Sequence, residues 1–221
     1  MPATASSTED SSAGDITRNK ILDAAESLII EHGFAATSLR AIAHAANVNL
    51  AATHYHFGSK QGLLAAVFHR RMGPVGIARL DALAKCRSSA SESGQGLTVR
   101  AVLTAFFAPF YDAMHSELIG ILPGLMARIY AEPPSLTKPM MADEFSEVMS
   151  HYLSALQEAR PDLPLEELRW RFHFMIGSMI QLLQFNAPLG MVGDAYSLQD
   201  GLARLIDFTV AGIEQGAADQ C

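Results

Sequence analysis

The stretch GFAATSLRAIAHAANVNLAATHYHFGSK, residues 33–60, decides how this chain folds. Gly33 stops a preceding helix, Thr17–His32, which places Ile21, Leu22, Ala25, Leu28 and Ile29 on one buried stripe at three- and four-residue spacing. Thr37 stands where an N-cap belongs, its hydroxyl able to accept from the amides of the next turn. The short helix that follows, Ser38–Ala45, buries Leu39, Ile42 and Ala43 and exposes Arg40. Ala46-Asn47-Val48 makes a turn with Val48 pointing inward, and Asn49 caps a second short helix, Leu50–His56. Phe57 closes that helix on the core, Gly58 breaks it, and Ser59 caps a longer helix reaching to about Cys86. Two helices of about two turns each are too short to stand alone, so the long helices on either side must hold them. This is the helix-turn-helix arrangement, whose second helix enters the major groove of DNA.

Outward from that unit, composition sets the bounds. The chain has 221 residues, 49% hydrophobic and 18% charged, enough apolar material for a core and too much for disorder throughout. No run approaches about 18 consecutive apolar residues, so no membrane span is expected. Residues 1–14 are a polar, Ser/Thr-rich tail expected to be disordered, without the basic start and apolar core of a secretory signal. Cys86 and Cys221 form neither a disulfide framework nor a metal spacing, which suits a reducing cytoplasm. The net charge of −7 looks wrong for a DNA binder, but it is unevenly spread. Residues 15–75 carry six basic against four acidic side chains, while residues 76–221 carry ten against seventeen. A polyanion would be repelled by the bulk of the chain and tolerated by the N-terminal segment, which also holds His32, His44, His54, His56 and His69.

After a Ser- and Gly-rich linker at Ser88–Gly96, five helices are predicted: Thr98–Met114, Glu117–Tyr130, Pro139–Ala159, Leu165–Asn186 and Leu198–Gln215. Neither a β pattern nor a repeat is visible. The expected fold is all-α: a three-helix DNA-binding domain over residues 15–62, and over 63–221 a helical bundle for ligand binding and dimerisation. The last two helices are apolar on more than one side. Phe172, Met175, Ile176, Met179, Ile180 and Leu183 lie on one, and Leu202, Leu205, Ile206, Phe208, Thr209 and Ile213 on the other, with Gly177 and Ser178 allowing close approach. A buried monomer core would read the same way. A single helix-turn-helix reads too few base pairs for useful specificity, which favours a two-fold dimer through the helices near 165–186 and 198–215.

The ordered set Gly33-Phe34, Thr37-Ser38, Ile42-Ala43, Ala46-Asn47-Val48, Tyr55-His56-Phe57, Ser59-Lys60 and Leu63-Leu64 resembles the signature of TetR-family transcriptional regulators. It departs from that pattern at Asn47, where the family usually has Gly, and at His54, where an aromatic residue is common. Asn still tolerates left-handed backbone angles. The resemblance implies that the recognition helix presents Asn49, Leu50, Ala51, Thr53, His54 and His56 to the groove. Thr53 and His54 are then the candidates for base edges, and Ala51 and Ala52 allow close approach to thymine methyls. It implies phosphate contacts for Thr37, Tyr55 and Lys60, with Arg40 as a further one, although the Tyr55 ring also suits core packing. His54 and His56 do not make a metal site, because residues two apart on a helix diverge by about 200°. No cofactor is expected.

For the effector, the middle helices supply large soft side chains: Phe106, Phe110, Met114, Met126, Tyr130, Met149 and Tyr152. Such residues suit an adaptable apolar pocket and equally a plain helical core. Arg128, His151 and His173 are the polar groups among them, candidates to anchor the head group of a ligand. The N-terminal half is similar to a subgroup that includes fatty-acid-responsive regulators. The function so implied is a homodimeric repressor of a palindromic operator, released by a small apolar effector, with activation an open alternative. Catalysis is not expected, since no Gly-rich phosphate loop, G-x-S-x-G or H-E-x-x-H occurs.

Overall fold

The computed structural model describes residues 6–113, 125–126, 128–184 and 197–215, leaving undescribed the side chains of 6–12, 110–113 and 183–184. Among the described residues every regular element is α-helical: α1 (Ser6–His32), α2 (Leu39–Ala45), α3 (Leu50–Phe57), α4 (Lys60–Glu92), α5 (Val99–Ala113), α6 (Pro134–Ala159), α7 (Leu165–Gln184) and α8 (Leu198–Glu214). No helix among them is long and apolar enough to cross a membrane. The chain folds as two units. One takes the residues up to Gly73 and returns for those between Gly124 and Met141; the other takes the remainder. The division falls inside α4.

In the first unit the predicted α1 stripe is buried at Ile21, Leu22, Ala25 and Ile29, and Leu63, Leu64, Val67 and Phe68 of α4 bury a stripe of the same spacing. Ile42 and Ala43 complete the core from α2. Within this apolar surface lies Glu26, with 3% of its surface exposed. Arg71 Nε donates to both of its carboxylate oxygens at 3.0 and 2.9 Å, and Arg70 Nη2 donates to Oε2 at 2.5 Å. Arg70 also reaches Asp23 at 2.6 Å, one turn earlier on α1. These ion pairs fix α1 on α4 in one register.

In the second unit the core centres on Phe106 of α5. Its ring meets Phe107, Tyr152 and Phe172 edge-on, with centroids 5.4, 5.0 and 5.3 Å away. The buried guanidinium of Arg79 lies 3.7 Å from the same ring, and its Nε donates to the Phe106 carbonyl at 3.1 Å. The Tyr152 hydroxyl donates to the Arg79 carbonyl at 2.8 Å, and burial pushes the phenol pKa well above its ordinary range. Leu202, Leu205, Ile206, Val210 and Ile213 pack α8 into this core.

Several boundaries differ from the sequence reading. Helix α1 extends back to Ser6, so much of the tail expected to be disordered is helical. Adding a turn to an existing helix costs far less than nucleating one, and Pro2 is the only proline in this segment. The small residues Ser88–Ser91 continue α4 instead of forming a linker. The stop comes at Gly94, φ 64°, where the Gln95 amide returns to the Ala90 carbonyl at 3.0 Å. Helix α6 starts at Pro134, well placed in a first turn, so Pro139 lies inside the helix. Most of the helix expected at Glu117–Tyr130 lies outside the described residues.

Glu26→Ala removes the carboxylate that Arg71 holds and leaves Arg70 with Asp23 alone. We expect it to lower the unfolding free energy by about 3 kcal/mol, read from urea denaturation followed by circular dichroism. A loss below about 1 kcal/mol would mean that the ion pairs add little net stability.

Candidate nucleic-acid interface

The two short helices of the first unit are each capped as short helices require. The Ser38 hydroxyl accepts from the Ala41 amide at 3.1 Å, and Asn49 Oδ1 accepts from the Ala52 amide at 2.7 Å. Between them the chain closes a Schellman turn. The Val48 amide reaches the Ala43 carbonyl at 2.9 Å, the Asn47 amide reaches His44 at 3.1 Å, and Asn47 is left-handed with φ 54°. The Ser59 hydroxyl then accepts from the Gly62 amide at 3.0 Å, capping α4.

The fold sorts the predicted contact residues into two sets. Tyr55 is 86% exposed; Asn49, Ala51, His54 and Arg40 are also exposed, and Leu50, His56 and Lys60 are half-buried. Thr53 faces the other way, 1% exposed, and its hydroxyl donates to the Leu50 carbonyl at 2.7 Å. It is therefore a buried residue of α3 and lies off the exposed face of that helix. Thr37 is corrected in the same way. Its buried hydroxyl donates to the carbonyls of Gly33 at 2.8 Å and Leu28 at 3.2 Å, and Ser38 takes the capping role expected of Thr37.

The exposed set has defined chemistry. His54 Nδ1 lies 3.1 Å from the Gly58 carbonyl, so Nδ1 carries the proton and Nε2 is turned outward. Neutral, that nitrogen accepts, as the amino group of adenine or cytosine requires; protonated, it donates. The Tyr55 and His56 rings meet edge to face at 5.1 Å. The Lys60 ammonium sits 4.3 Å above the Phe34 ring and donates to the Ala35 carbonyl at 3.2 Å.

The residues expected to bind an effector are divided between the two units. Phe106 and Tyr152 are in contact in the second unit, where Met149 is half-buried and His151 and His173 are exposed. Met126 is buried and Tyr130 half-buried in the first unit. Arg128 is exposed there and engaged elsewhere: it donates to the Ile30 and Glu31 carbonyls at 3.1 and 3.2 Å, closing the C-terminal end of α1. Met114 and the Phe110 side chain lie outside the described residues. The buried cation of the second unit is Arg79, which the sequence reading missed; it stands four positions from Leu83 on the inward stripe of α4.

The apolar surface left open in the second unit overlaps the predicted one only at Phe208, Gly177 and Ser178. Phe172, Met175, Met179, Leu202, Leu205, Ile206, Thr209 and Ile213 face their own core. Trp170, Phe174 and Phe208 are exposed, at 54%, 62% and 74%, together with the small residues Gly177, Ser178, Ala211 and Gly212.

Two family models match the chain. One, described as bacterial regulatory proteins of the tetR family, covers residues 21–67; the other, described as a tetracyclin repressor-like C-terminal domain, covers residues 104–212. A search of curated proteins gives no match. Among solved structures, native NalD, the secondary repressor of the MexAB-OprM multidrug efflux pump in Pseudomonas aeruginosa, is similar. Its TM-score is 0.63 at 20% identity, over 90% of this chain and 97% of that one. FadR, the fatty acid degradation regulator from Bacillus halodurans, gives 0.60 at 17%, over 90% and 96%. AmtR from Mycobacterium smegmatis gives 0.57 at 18%, over 98% and 91%. At these identities the likeness is one of fold.

The left-handed turn yields its own prediction. Asn47→Val forces a β-branched residue to positive φ and should cost about 1–2 kcal/mol, whereas Asn47→Gly leaves stability unchanged or raises it. Equal stability of the two variants in urea denaturation would contradict the turn geometry.

Proposed function

The chain belongs to the TetR family of bacterial transcriptional regulators, and we propose that it is a homodimeric repressor of a palindromic operator, released by a small apolar effector. The observation that carries the DNA half of this reading is the outward face of α3. Ala51, His54 and Tyr55 stand clear of the core on a helix capped by Asn49. In this reading Asn49, Leu50, Ala51, His54 and His56 meet base edges, while Tyr55, Lys60 and Arg40 grip phosphates. Thr37 and Thr53 act only through packing.

A two-fold dimer would hold two recognition helices about 34 Å apart, one turn of DNA. Support for dimerisation comes from the exposed aromatic residues of α7 and α8. Trp170, Phe174 and Phe208 beside Gly177, Ser178, Ala211 and Gly212 combine large apolar area with room for close helix approach, the composition of a four-helix contact. For the effector, the support is the aromatic and Met-rich make-up of the middle helices, and a fatty acyl compound is the class we favour. Release then needs an effector that binds the DNA-incompetent arrangement more tightly than the competent one, since equal affinity shifts nothing. The direct packing of Phe106 on Phe107, Tyr152 and Phe172 favours a second reading, in which this domain only dimerises and the regulator takes no ligand.

The test is fluorescence anisotropy with a duplex that the protein selects from a randomised pool, at two salt concentrations, with and without long-chain acyl compounds. We expect tight, salt-sensitive binding relieved by the acyl compound. Binding untouched by any apolar ligand favours the second reading, and a selection that enriches no sequence would sink both. His54→Ala should relax selection at one base position, at a cost of about 1–3 kcal/mol, while Thr53→Val leaves the selected sequence unchanged. Phe174→Arg and Phe208→Arg should each give monomers in analytical ultracentrifugation and lose operator affinity. Dimers that persist in both variants would move the interface elsewhere.

A further inference from the structure

Residues 125–132 fall within the match to the C-terminal family model, yet they fold into the same unit as the helix-turn-helix. Two of their side chains, four positions apart, hold the end of α1 and the loop that follows it. Arg128 donates to the Ile30 and Glu31 carbonyls at the end of α1. Glu132 Oε1 accepts from the Ala35 amide at 3.3 Å, across 97 positions of sequence. On its other side, the carbonyl of the same Ala35 accepts from Lys60 at 3.2 Å. Both peptide groups flanking Ala35 are thereby tied, one to residue 132 and the other to the first residue of α4.

We propose that Glu132 is a positioning residue for DNA binding, holding Ala35 so that its carbonyl seats the Lys60 ammonium at the phosphate backbone, while Arg128 secures the end of α1 beside it. The inference rests on the reading of Lys60 as a phosphate contact. The chemistry permits the double role: a lysine ammonium has three donors, so one can be spent on Ala35 and two remain for phosphate oxygens. The Phe34 ring beneath it adds a second restraint. A lysine already held in place loses less side-chain entropy when it meets DNA than one that samples its rotamers freely. The same arrangement gives the C-terminal sequence a handle on the DNA head. A displacement of residues 128–132 frees Ala35 and takes the seat away from Lys60, with no change in any residue that touches DNA.

The experiment compares Glu132→Ala, Glu132→Gln, Lys60→Ala and the Glu132→Ala/Lys60→Ala double variant, as full chains, on the duplex selected by the parent protein. Glu132→Ala should weaken binding about fivefold, the net worth of one ordinary intramolecular hydrogen bond. Glu132→Gln, which keeps the acceptor oxygen, should recover most of that loss. In the double variant the cost of Lys60→Ala should shrink, because groups that act through a shared partner are not additive. Without DNA, hydrogen exchange at the Ala35 amide should accelerate in Glu132→Ala and not in Glu132→Gln. Additive costs, or parental affinity in Glu132→Ala while Lys60→Ala is impaired, would overturn the proposal and leave the DNA-binding reading intact. Parental affinity in Lys60→Ala would remove the phosphate role and the proposal with it.

Discussion

A carboxylate almost wholly withdrawn from water, held between two guanidinium groups, sets the frame of the DNA-reading unit. Glu26 on α1 and Arg70 and Arg71 on α4 can satisfy one another only in a single register of the two helices. Apolar stripes alone would tolerate small slides, because burial is non-directional. Buried charge does not, since an unpaired ion in that position costs several kcal/mol. The short helices α2 and α3 depend on this frame, as neither is long enough to persist by itself. Their caps and the Schellman turn then determine where the outer face of α3 stands.

The second unit uses buried polarity differently. Arg79 has its charge against the face of Phe106 and its Nε on a backbone carbonyl, and the Tyr152 hydroxyl returns to the Arg79 carbonyl. One aromatic ring thus joins three edge-to-face contacts and a cation, and α4, α5, α6 and α7 all contribute to that point. The exposed aromatic residues on α7 and α8 point away from it, which separates the surface open to a second chain from the surface that builds the fold.

Where the sequence reading failed, it failed on direction and seldom on secondary structure. Thr37 and Thr53 both stand beside positions that are exposed, and a hydroxyl suits a phosphate as well as it suits a backbone carbonyl; burial alone assigns them inward. The open face of α7 and α8 was legible only in part for the same reason. On α7 and α8 apolar residues go almost all round the helix, so periodicity does not say which side meets the molecule's own core. Glu26 is legible from the sequence alone. It lies on the buried stripe of α1, four residues from Leu22 and three from Ile29, where an acidic side chain requires a partner.

The sequence by itself determined the local structure of this protein. The stop at Gly33, the turn through Asn47, the caps at Asn49 and Ser59 and the break at Gly58 are properties of a few neighbouring residues and their backbone angles. Only the tertiary structure decided which faces are buried and which distant groups meet. Glu132 reaches Ala35 across 97 positions, Arg128 closes a helix end equally remote, and Arg70 and Arg71 find Glu26 more than 40 positions away. The physical reason is that caps and turns are satisfied by bonds within one turn of chain. A long-range hydrogen bond or a buried charge is satisfied only by whatever the packing of other helices brings beside it.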